Sequence, residues 1–333
     1  MRIKLAFVVI LMVFAAQMSF AGEKDYSLPP AIILPIDSMK VYDSGTFWRF
    51  EGRTRLNVQT VLLSNWADGG ESSLTGATYF NLMAIYEKGN FKFENYFNTV
   101  FGTQLYLYSN PRKTEDKIGF NSSVAHKFEK DWFYNAQVEF KSQYAKGYKY
   151  PNDSVAVSDW LSPGYLTLSL GVENKSINGL SIFFSPLAGK LIFVMNQDLA
   201  DAGKYGVKKA VKDEDGNILV HGENVKAELG INVKIRYRKK VIKNIFVSSY
   251  LVLYNNYADE DPSNRWNVDV DWETLFDFTI NKFFVANLYL QLKYDDDVKS
   301  PMYDVIDGER VKVGETTALQ IKQNYGLGLA FKF

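Results

Sequence analysis

The sequence contains no cysteine and only two histidines among its 333 residues. The missing thiols exclude a disulfide framework and a thiolate metal site. Basic and acidic residues number 38 each, and this balance leaves no basic surface for nucleic acid. Metal-spaced histidine pairs, glycine-rich phosphate loops and nucleophile elbows are also missing from the sequence. We therefore expect no catalytic residue, no metal and no cofactor.

One long apolar run, at residues 5–16, lies near the N-terminus. Arg2 and Lys4 flank it on one side and Ser19-Phe-Ala21 on the other, which is the pattern of a secretory signal peptide. The run is shorter than the ~20 residues of a membrane-spanning helix. We expect cleavage after Ala21, and because no cysteine follows, a lipid-modified N-terminus is excluded.

Aromatic residues make up 15% of the chain, and apolar residues recur with a period of two. From Val225 to Tyr237, every odd position is apolar and every even position is polar or glycine. The last stretch, Leu319 to Phe333, alternates in the same way except at Gln323 and Ala330. These runs are longer than the five or six residues usual in soluble strands. They predict long strands with one apolar and one polar face.

The alternation predicts twelve strands, at residues 47–63, 74–87, 91–107, 115–128, 132–147, 161–174, 179–193, 222–238, 244–256, 266–280, 283–295 and 317–333. Short connections alternate strictly with long ones, and several short ones carry the asparagine and glycine of tight hairpins. Since lipid cannot hydrogen-bond backbone amides, a sheet in a membrane must close on itself. The pattern predicts an all-β, transmembrane, antiparallel up-and-down β-barrel of about twelve strands.

This organisation divides the chain into a signal peptide at 1–21, a periplasmic N-terminal segment at 22–46 and an outer-membrane β-barrel at 47–333. The proline-containing stretch 27–36 cannot lie inside a regular helix or strand. It either hangs in the periplasm as a tether or folds into the mouth of the barrel. The predicted location is the outer membrane of a Gram-negative bacterium, with lipid as the surrounding partner.

Aromatic residues near the short turns and the C-terminus predict one interfacial ring: Phe91, Phe93, Phe128, Trp132, Tyr134, Tyr237, Phe278, Phe284, Phe331 and Phe333. Those near the long loops predict the opposite ring: Trp66, Tyr144, Trp160, Tyr254, Trp266 and Tyr294. The last strand is similar to the C-terminal signal by which outer-membrane proteins are recognised for insertion. That similarity implies contact of Phe331 and Phe333 with the insertion machinery.

Several short stretches resemble a family of exported β-barrel proteins from Bacteroidota, the domain of unknown function numbered 3078. They are Asn65-Trp-Ala-Asp-Gly-Gly70, Arg112-Lys-Thr-Glu-Asp116, Gly147-Tyr-Lys-Tyr-Pro151, Leu161-Ser-Pro-Gly-Tyr-Leu166 and Phe184-Ser-Pro-Leu187. Together they cover nearly the whole chain after the signal peptide. The resemblance implies an outer-membrane location and supplies no reaction or catalytic residue.

Charged residues on the polar faces of the strands are predicted to face the lumen: Arg49, Glu51, Arg53, Arg55, Glu228, Lys234, Arg236, Asp269, Asp271, Glu273 and Asp277. Two interpretations remain open. These opposed charges set a transverse field in a narrow pore that selects polar or zwitterionic solutes. Alternatively, they pair with one another and fill the lumen.

The long loops hold the candidates for binding a ligand: Trp66, Asp68, Asp295, Asp296 and Asp297. The stretch 65–70 suits contact with a sugar or peptide, or forms a tight turn stabilised by asparagine and glycine. The acidic residues could hold calcium, although no spacing matches an ordered calcium-binding loop, or they form a solvated surface.

The function that this pattern favours is a narrow channel or transporter for small polar solutes. A non-conducting surface or scaffold barrel whose loops bind a partner is the first alternative. A membrane hydrolase is the second. It would use His126 with Ser122 or Ser123, or His221 with Asp213 or Asp215.

Overall fold

The computed structural model describes residues 47–61, 72–106, 109–150, 152–281, 284–296, 299–306 and 309–332. The expected signal peptide and N-terminal segment lie outside the described residues, as do Trp66, Asp68, Asp297 and Phe333. In the part of the chain that is described, no helix is long and apolar enough to cross a membrane.

The described residues form eighteen strands: β1 Trp48–Val61, β2 Ser73–Lys88, β3 Phe91–Tyr106, β4 Arg112–Glu129, β5 Trp132–Ser142, β6 Gly147–Tyr148, β7 Ala156–Ser158, β8 Gly164–Asn174, β9 Leu180–Phe193, β10 Val211–Lys212, β11 Ile218–Val220, β12 Val225–Ile242, β13 Ile245–Asn255, β14 Asp269–Thr279, β15 Phe284–Tyr294, β16 Lys299–Ile306, β17 Glu309–Thr317 and β18 Gln320–Lys332. They also include one short helix, α1 Gln197–Asp201, and two single 3-10 turns, Lys204–Gly206 and Asn264–Trp266.

Twelve of these strands form a closed barrel in the order β1-β18-β15-β14-β13-β12-β9-β8-β5-β4-β3-β2. Every neighbouring pair is antiparallel, and β1 pairs with β18, so the first and last barrel strands close the sheet. Each predicted strand corresponds to one barrel strand, with ends that differ by a few residues. The predicted twelve-stranded antiparallel up-and-down barrel is confirmed.

The two faces of the wall differ as the alternation predicts. On β2, Ala77, Tyr79 and Met83 are buried inside the barrel, while Leu74 and Leu82 are exposed on the outside. Large apolar side chains remain exposed around most of the outer wall, and Phe50 is an example at 62% exposure. Covering one such side chain with hydrocarbon stabilises the protein by about 1.5–3 kcal/mol. The barrel is therefore a transmembrane one, with lipid covering its outer belt.

Tight turns join the strands at one end of the barrel, which we call the short-turn end. Gly89, Asp131 and Asn244 occupy these turns with left-handed φ angles of 57°, 63° and 70°. Glycine, asparagine and aspartate reach this region more easily than other residues, and two-residue hairpins require it. The opposite, long-loop end contains the other connections.

The long loops contain structure that the sequence analysis did not predict. Three two-stranded hairpins, β6–β7, β10–β11 and β16–β17, lie in these connections. The strand expected from residue 161 begins at Gly164, because Leu161 has a left-handed φ of 49°. The strand expected from residue 266 begins at Asp269, because Trp266 ends a 3-10 turn. These two predicted strand starts are wrong by three residues.

The seam between β1 and β18 is the least paired part of the wall. Among the described residues, pairing extends only from Arg53 to Leu56 on β1, opposite Lys332 to Leu329 on β18. By contrast, β1 pairs with β2 along its whole length, from Trp48 to Val61. The seam is therefore paired toward the short-turn end, and the described residues that follow, 57–61 on β1 and 324–328 on β18, show no pairing across it.

Candidate functional site in the barrel lumen

Many charged side chains face the lumen of the barrel. Of the charged residues predicted to face it, Arg55, Glu228, Lys234 and Asp277 are each less than 10% exposed. Strand alternation and pairing put the others on the same inner face: Arg49, Glu51, Arg236, Asp269, Asp271 and Glu273. Arg53 occupies an inward-facing position of β1, and its side chain is not among those that the structure describes.

Ion pairs reach across the lumen between distant strands. Lys117 Nζ on β4 lies 3.5 Å from Glu273 Oε1 on β14, and these two strands are six positions apart in the ring of twelve. Lys322 Nζ on β18 lies 3.1 Å from Glu115 Oε1 on β4. Side chains of opposite charge therefore meet across the middle of the barrel and narrow it.

Glu139 on β5 joins two lysines in this narrow region. Its Oε1 lies 2.8 Å from Lys141 Nζ, and its Oε2 lies 2.8 Å from Lys234 Nζ on β12. Lys234 Nζ also donates to Gln137 Oε1 at 3.1 Å. Removing one partner from a buried ion pair leaves an uncompensated charge, so the three groups hold one another in place.

Two cavities lie on either side of this junction. The mid-lumen cavity has a volume of about 60 Å³ and is lined by Tyr96, Arg236 and Arg238 among others. The upper cavity has a volume of about 160 Å³ and is lined by Tyr165, Lys190 and Asp269 among others. Glu139 and Lys141 line both cavities.

Several lumen residues were missing from the predicted set. Glu139 and Lys141 have the inward parity of the predicted strand 132–147, and Arg238 ends the predicted strand 222–238. The alternation was thus sufficient to find them.

Tyr254 was predicted to lie in the interfacial aromatic ring near the long loops, and this prediction is wrong. It is 6% exposed and lies in the lumen, where Lys190 Nζ is 4.8 Å from the centroid of its ring.

A loop at the long-loop end folds over the inner wall. One buried apolar cluster joins this loop to the wall. The loop contributes Leu199, Ala200 and Val207, and the wall contributes Ile192 of β9 with Val194 directly after that strand. Tyr205 Oη donates to the carbonyl of Val157 at 2.6 Å and joins this loop to β7. Burial raises the pKa of Tyr205 to about 12, so its hydroxyl stays protonated at neutral pH.

Asp201, at the end of α1, holds the two ends of this loop together. Its Oδ1 accepts from Gln197 Nε2 and from the backbone N–H of Gly222, each at 2.7 Å. Its Oδ2 lies 2.9 Å from Nδ1 of His221. These hydrogen bonds, led by that from Gln197, lower the pKa of Asp201 to about 2. The carboxylate therefore remains charged at every physiological pH.

Two of the acidic loop candidates, Asp295 and Asp296, lie within the described residues. Asp296 Oδ2 accepts from Asn267 Nδ2 at 2.8 Å, and Asp295 lines the upper cavity. Within the described residues, no group of three histidine or acidic side chains is placed to hold a metal ion. Trp66, Asp68 and Asp297 lie outside the described residues.

The residues proposed for a hydrolase are not brought together. Ser122 and His126 share the outer face of β4 four positions apart, which is about 13 Å along a strand. Ser122 Oγ instead donates to Asn95 Oδ1 at 2.9 Å. Ser123 has the opposite parity and is buried inside.

The proposed pairing of His221 with Asp213 is also wrong. His221 contacts Asp201 instead. The carboxylate of Asp213 accepts two hydrogen bonds from Asn217, one from the side-chain Nδ2 at 3.0 Å and one from the backbone N–H of Asn217 at 2.7 Å. This carboxylate closes its own turn.

Comparison with protein families finds one match: the profile described as "Protein of unknown function (DUF3078)" matches residues 58–148. The resembling stretches at 65–70 and 112–116 lie inside this range, whereas those at 161–166 and 184–187 lie beyond it. The profile thus covers less of the chain than the resemblance implied. A search of curated proteins finds no match to this chain.

Solved structures with a similar strand arrangement include an outer membrane channel from Pseudomonas putida F1, at 10% identity and a TM-score of 0.37, covering 94% of this chain and 100% of that one. The translocator domain of the autotransporter NalP from Neisseria meningitidis is 9% identical with a TM-score of 0.34, covering 88% and 90%. OprB from Pseudomonas putida is 10% identical with a TM-score of 0.30, covering 86% and 94%. All three scores are low, and the barrel assignment follows from the strand pairing of this chain itself.

Proposed function

We propose that this protein is an outer-membrane barrel whose lumen forms a narrow path for small polar solutes and ions. The main observation in support of this path is that Glu139 and Lys141 line both lumen cavities. Both cavities have walls of both charge signs, and these polar walls are what a hydrated solute requires. The exposed apolar belt and the expected signal peptide support the membrane location.

The size of the cavities limits what can pass. One water molecule needs about 10–15 Å³ of cavity space, so a cavity of about 60 Å³ holds only a few. The upper cavity, at about 160 Å³, holds more. The mid-lumen cavity is therefore the smaller of the two cavities along the proposed path, and its size favours ions and very small polar molecules over sugars or peptides.

The Bacteroidota origin, the orientation with long loops outside and the contact of Phe331 and Phe333 with the insertion machinery belong to the same proposal. Their support is the resemblance of the sequence stretches, the sorting of loops by length and the aromatic C-terminus. No enzymatic activity is proposed, because the serine and histidine candidates on β4 lie far apart.

Planar-bilayer conductance tests the path. In Glu139→Ala, Lys141 and Lys234 lose the carboxylate between them, so we expect a larger conductance and a shift of selectivity toward anions. Glu260→Ala is the matched control, because Glu260 lies in an exposed loop and should leave both properties unchanged. Folding of each variant is verified first by circular dichroism and by its heat-dependent gel migration.

A folded wild-type protein that passes no current would contradict the channel. It would favour the alternative, a non-conducting scaffold whose loops bind a partner. The ordered hairpins of the long loops are the observation that keeps this second function in view, because they present exposed apolar side chains such as Val155 and Leu219.

A further inference from the structure

We propose that the mid-lumen cavity is a binding site for one small monovalent anion, such as chloride, bromide, nitrate or formate. Its ligands are the guanidinium groups of Arg236 and Arg238 on β12. The proposal deepens the proposed function by naming the solute class that rests at mid-lumen. It requires a folded barrel but does not require that the barrel conducts.

The two arginines point into the same space. They are two positions apart on β12 and share its inward face, and both line the mid-lumen cavity. The guanidinium carbons of Arg236 and Arg238 lie 5.7 and 5.6 Å from the ring centroid of Tyr96, which projects from β3. Tyr96 thus holds both side chains close together at one side of the cavity.

Arg238 has donors without a partner. Its side chain is only 6% exposed, and Nε and Nη1 have no hydrogen-bond acceptor among the described residues. Nε of Arg236 is likewise without an acceptor there. Leaving a buried charged donor unsatisfied is expensive, and an anion in the cavity would supply the missing acceptor.

The carboxylates that line the cavity are already held by lysines, while Glu94 and Glu173 on the neighbouring walls also attract the arginines. Of the two that line the cavity, Glu139 pairs with Lys141 and Lys234, and Glu273 pairs with Lys117. On the neighbouring walls, Lys175 Nζ lies 3.5 Å from Glu94 and 3.1 Å from Glu173. The cavity lining therefore has more positive than negative charge: Lys117, Lys141, Arg236 and Arg238 against Glu139 and Glu273.

Volume and charge together define the ligand class. The cavity of about 60 Å³ has room for only a few water molecules, so it suits a monatomic or very small anion. Arginine binds carboxylate-like anions through paired N–H donors, and this property extends the class to formate. Amides of Asn98 and Asn121 also line the cavity and can donate to the same anion.

Chloride binding to the refolded protein in detergent micelles can be measured by line broadening in ³⁵Cl NMR. We expect broadening by the wild type that nitrate or formate reverses, and Arg238→Gln should weaken the affinity by about tenfold or more. Arg265→Gln is the matched control, because Arg265 is exposed in a loop and should bind chloride as the wild type does. Equal broadening in wild type and Arg238→Gln would overturn the site.

Anomalous scattering from bromide in crystals of the wild type provides a test that needs no variant. A bromide peak at the guanidinium groups of Arg236 and Arg238 supports the site, and an empty mid-lumen cavity in crystals soaked with bromide overturns it. The two proposals fail separately. Bound chloride without bilayer current removes only the channel, whereas current without bound chloride removes only the anion site.

Discussion

At the residue scale, glycine decides where neighbouring strands can approach. Gly171 of β8 lies where the register with β9 shifts, and a Cβ there would overlap the carbonyl oxygen of Phe184. A β-bulge of this kind bends its strand and brings backbone atoms toward the neighbour. Gly189 of β9, by contrast, has open space around the position of its missing Cβ. Only the first of these glycines is required by packing.

Gly171→Ala should therefore lower the free energy of unfolding by about 1–3 kcal/mol, because the added methyl forces the backbone of β9 to move. Reversible urea unfolding in lipid vesicles measures this value. Gly189→Ala is the control, and its unfolding free energy should stay within about 0.5 kcal/mol of the wild type. Equal losses for the two variants would show that the bulge is not rigid.

At the element scale, the strand pairs of the barrel differ in how completely they are hydrogen-bonded. Most pairs extend along nearly the full strand, as β2 and β3 do from Ser73 to Lys88. In the described part of the seam between β1 and β18, pairing is confined to the residues near Arg53–Leu56. An unpaired backbone group in hydrocarbon costs several kcal/mol, so the unpaired part of the seam is the weakest part of the wall.

Hydrogen exchange of the protein in lipid nanodiscs should reveal this difference. We expect amides of β18 at 324–328 that face β1 to exchange faster than the amides of the β2–β3 pair, because no pairing joins them to the described residues of β1 across the seam. Amides of β18 that face β15 provide the internal control, since that pairing runs from Gln320 to Leu329. Uniform protection along β18 would contradict an incompletely paired seam.

At the scale of the whole molecule, the protein reverses the arrangement of a soluble domain. Apolar side chains such as Leu82 cover the outside, while buried charges such as Lys234 occupy the inside. The charges are tolerated because they pair across the lumen, as Lys117 does with Glu273. The apolar belt is stable only if lipid surrounds it.

Leu82→Arg places a charge in the middle of that belt and should destabilise the barrel in lipid vesicles by about 2–4 kcal/mol. Leu219→Arg is the matched control. Leu219 lies on β11 in a long loop and is 65% exposed, so the same change there should alter stability by under about 0.5 kcal/mol. Unfolding by urea, monitored by tryptophan fluorescence, measures both. A small effect at Leu82 would mean that the outer belt does not contact hydrocarbon.

Much of the architecture could be predicted because a barrel strand repeats one simple rule. The alternation on β12 placed Glu228, Lys234 and Arg236 inside, and the structure puts them there. The rule fails where the chain leaves the wall. Tyr254, near the end of β13, was assigned to the aromatic ring near the long loops because it lies beside a long loop. That assignment ignored the alternation of inward and outward positions along the strand. The hairpin β16–β17 was missed because Pro301 and the acidic residues around it interrupt the pattern.

By itself, the sequence determined the closed barrel, its strand number and the polarity of each face, because these depend on periods of two and on local turn chemistry. Only the tertiary structure decided which charges meet across the lumen, which carboxylates are already paired and which arginine donors are left without an acceptor. Those relations join strands such as β4 and β14, which lie far apart in the chain and on opposite sides of the barrel. Closure of the sheet sets such distances, and no local pattern in the sequence encodes them.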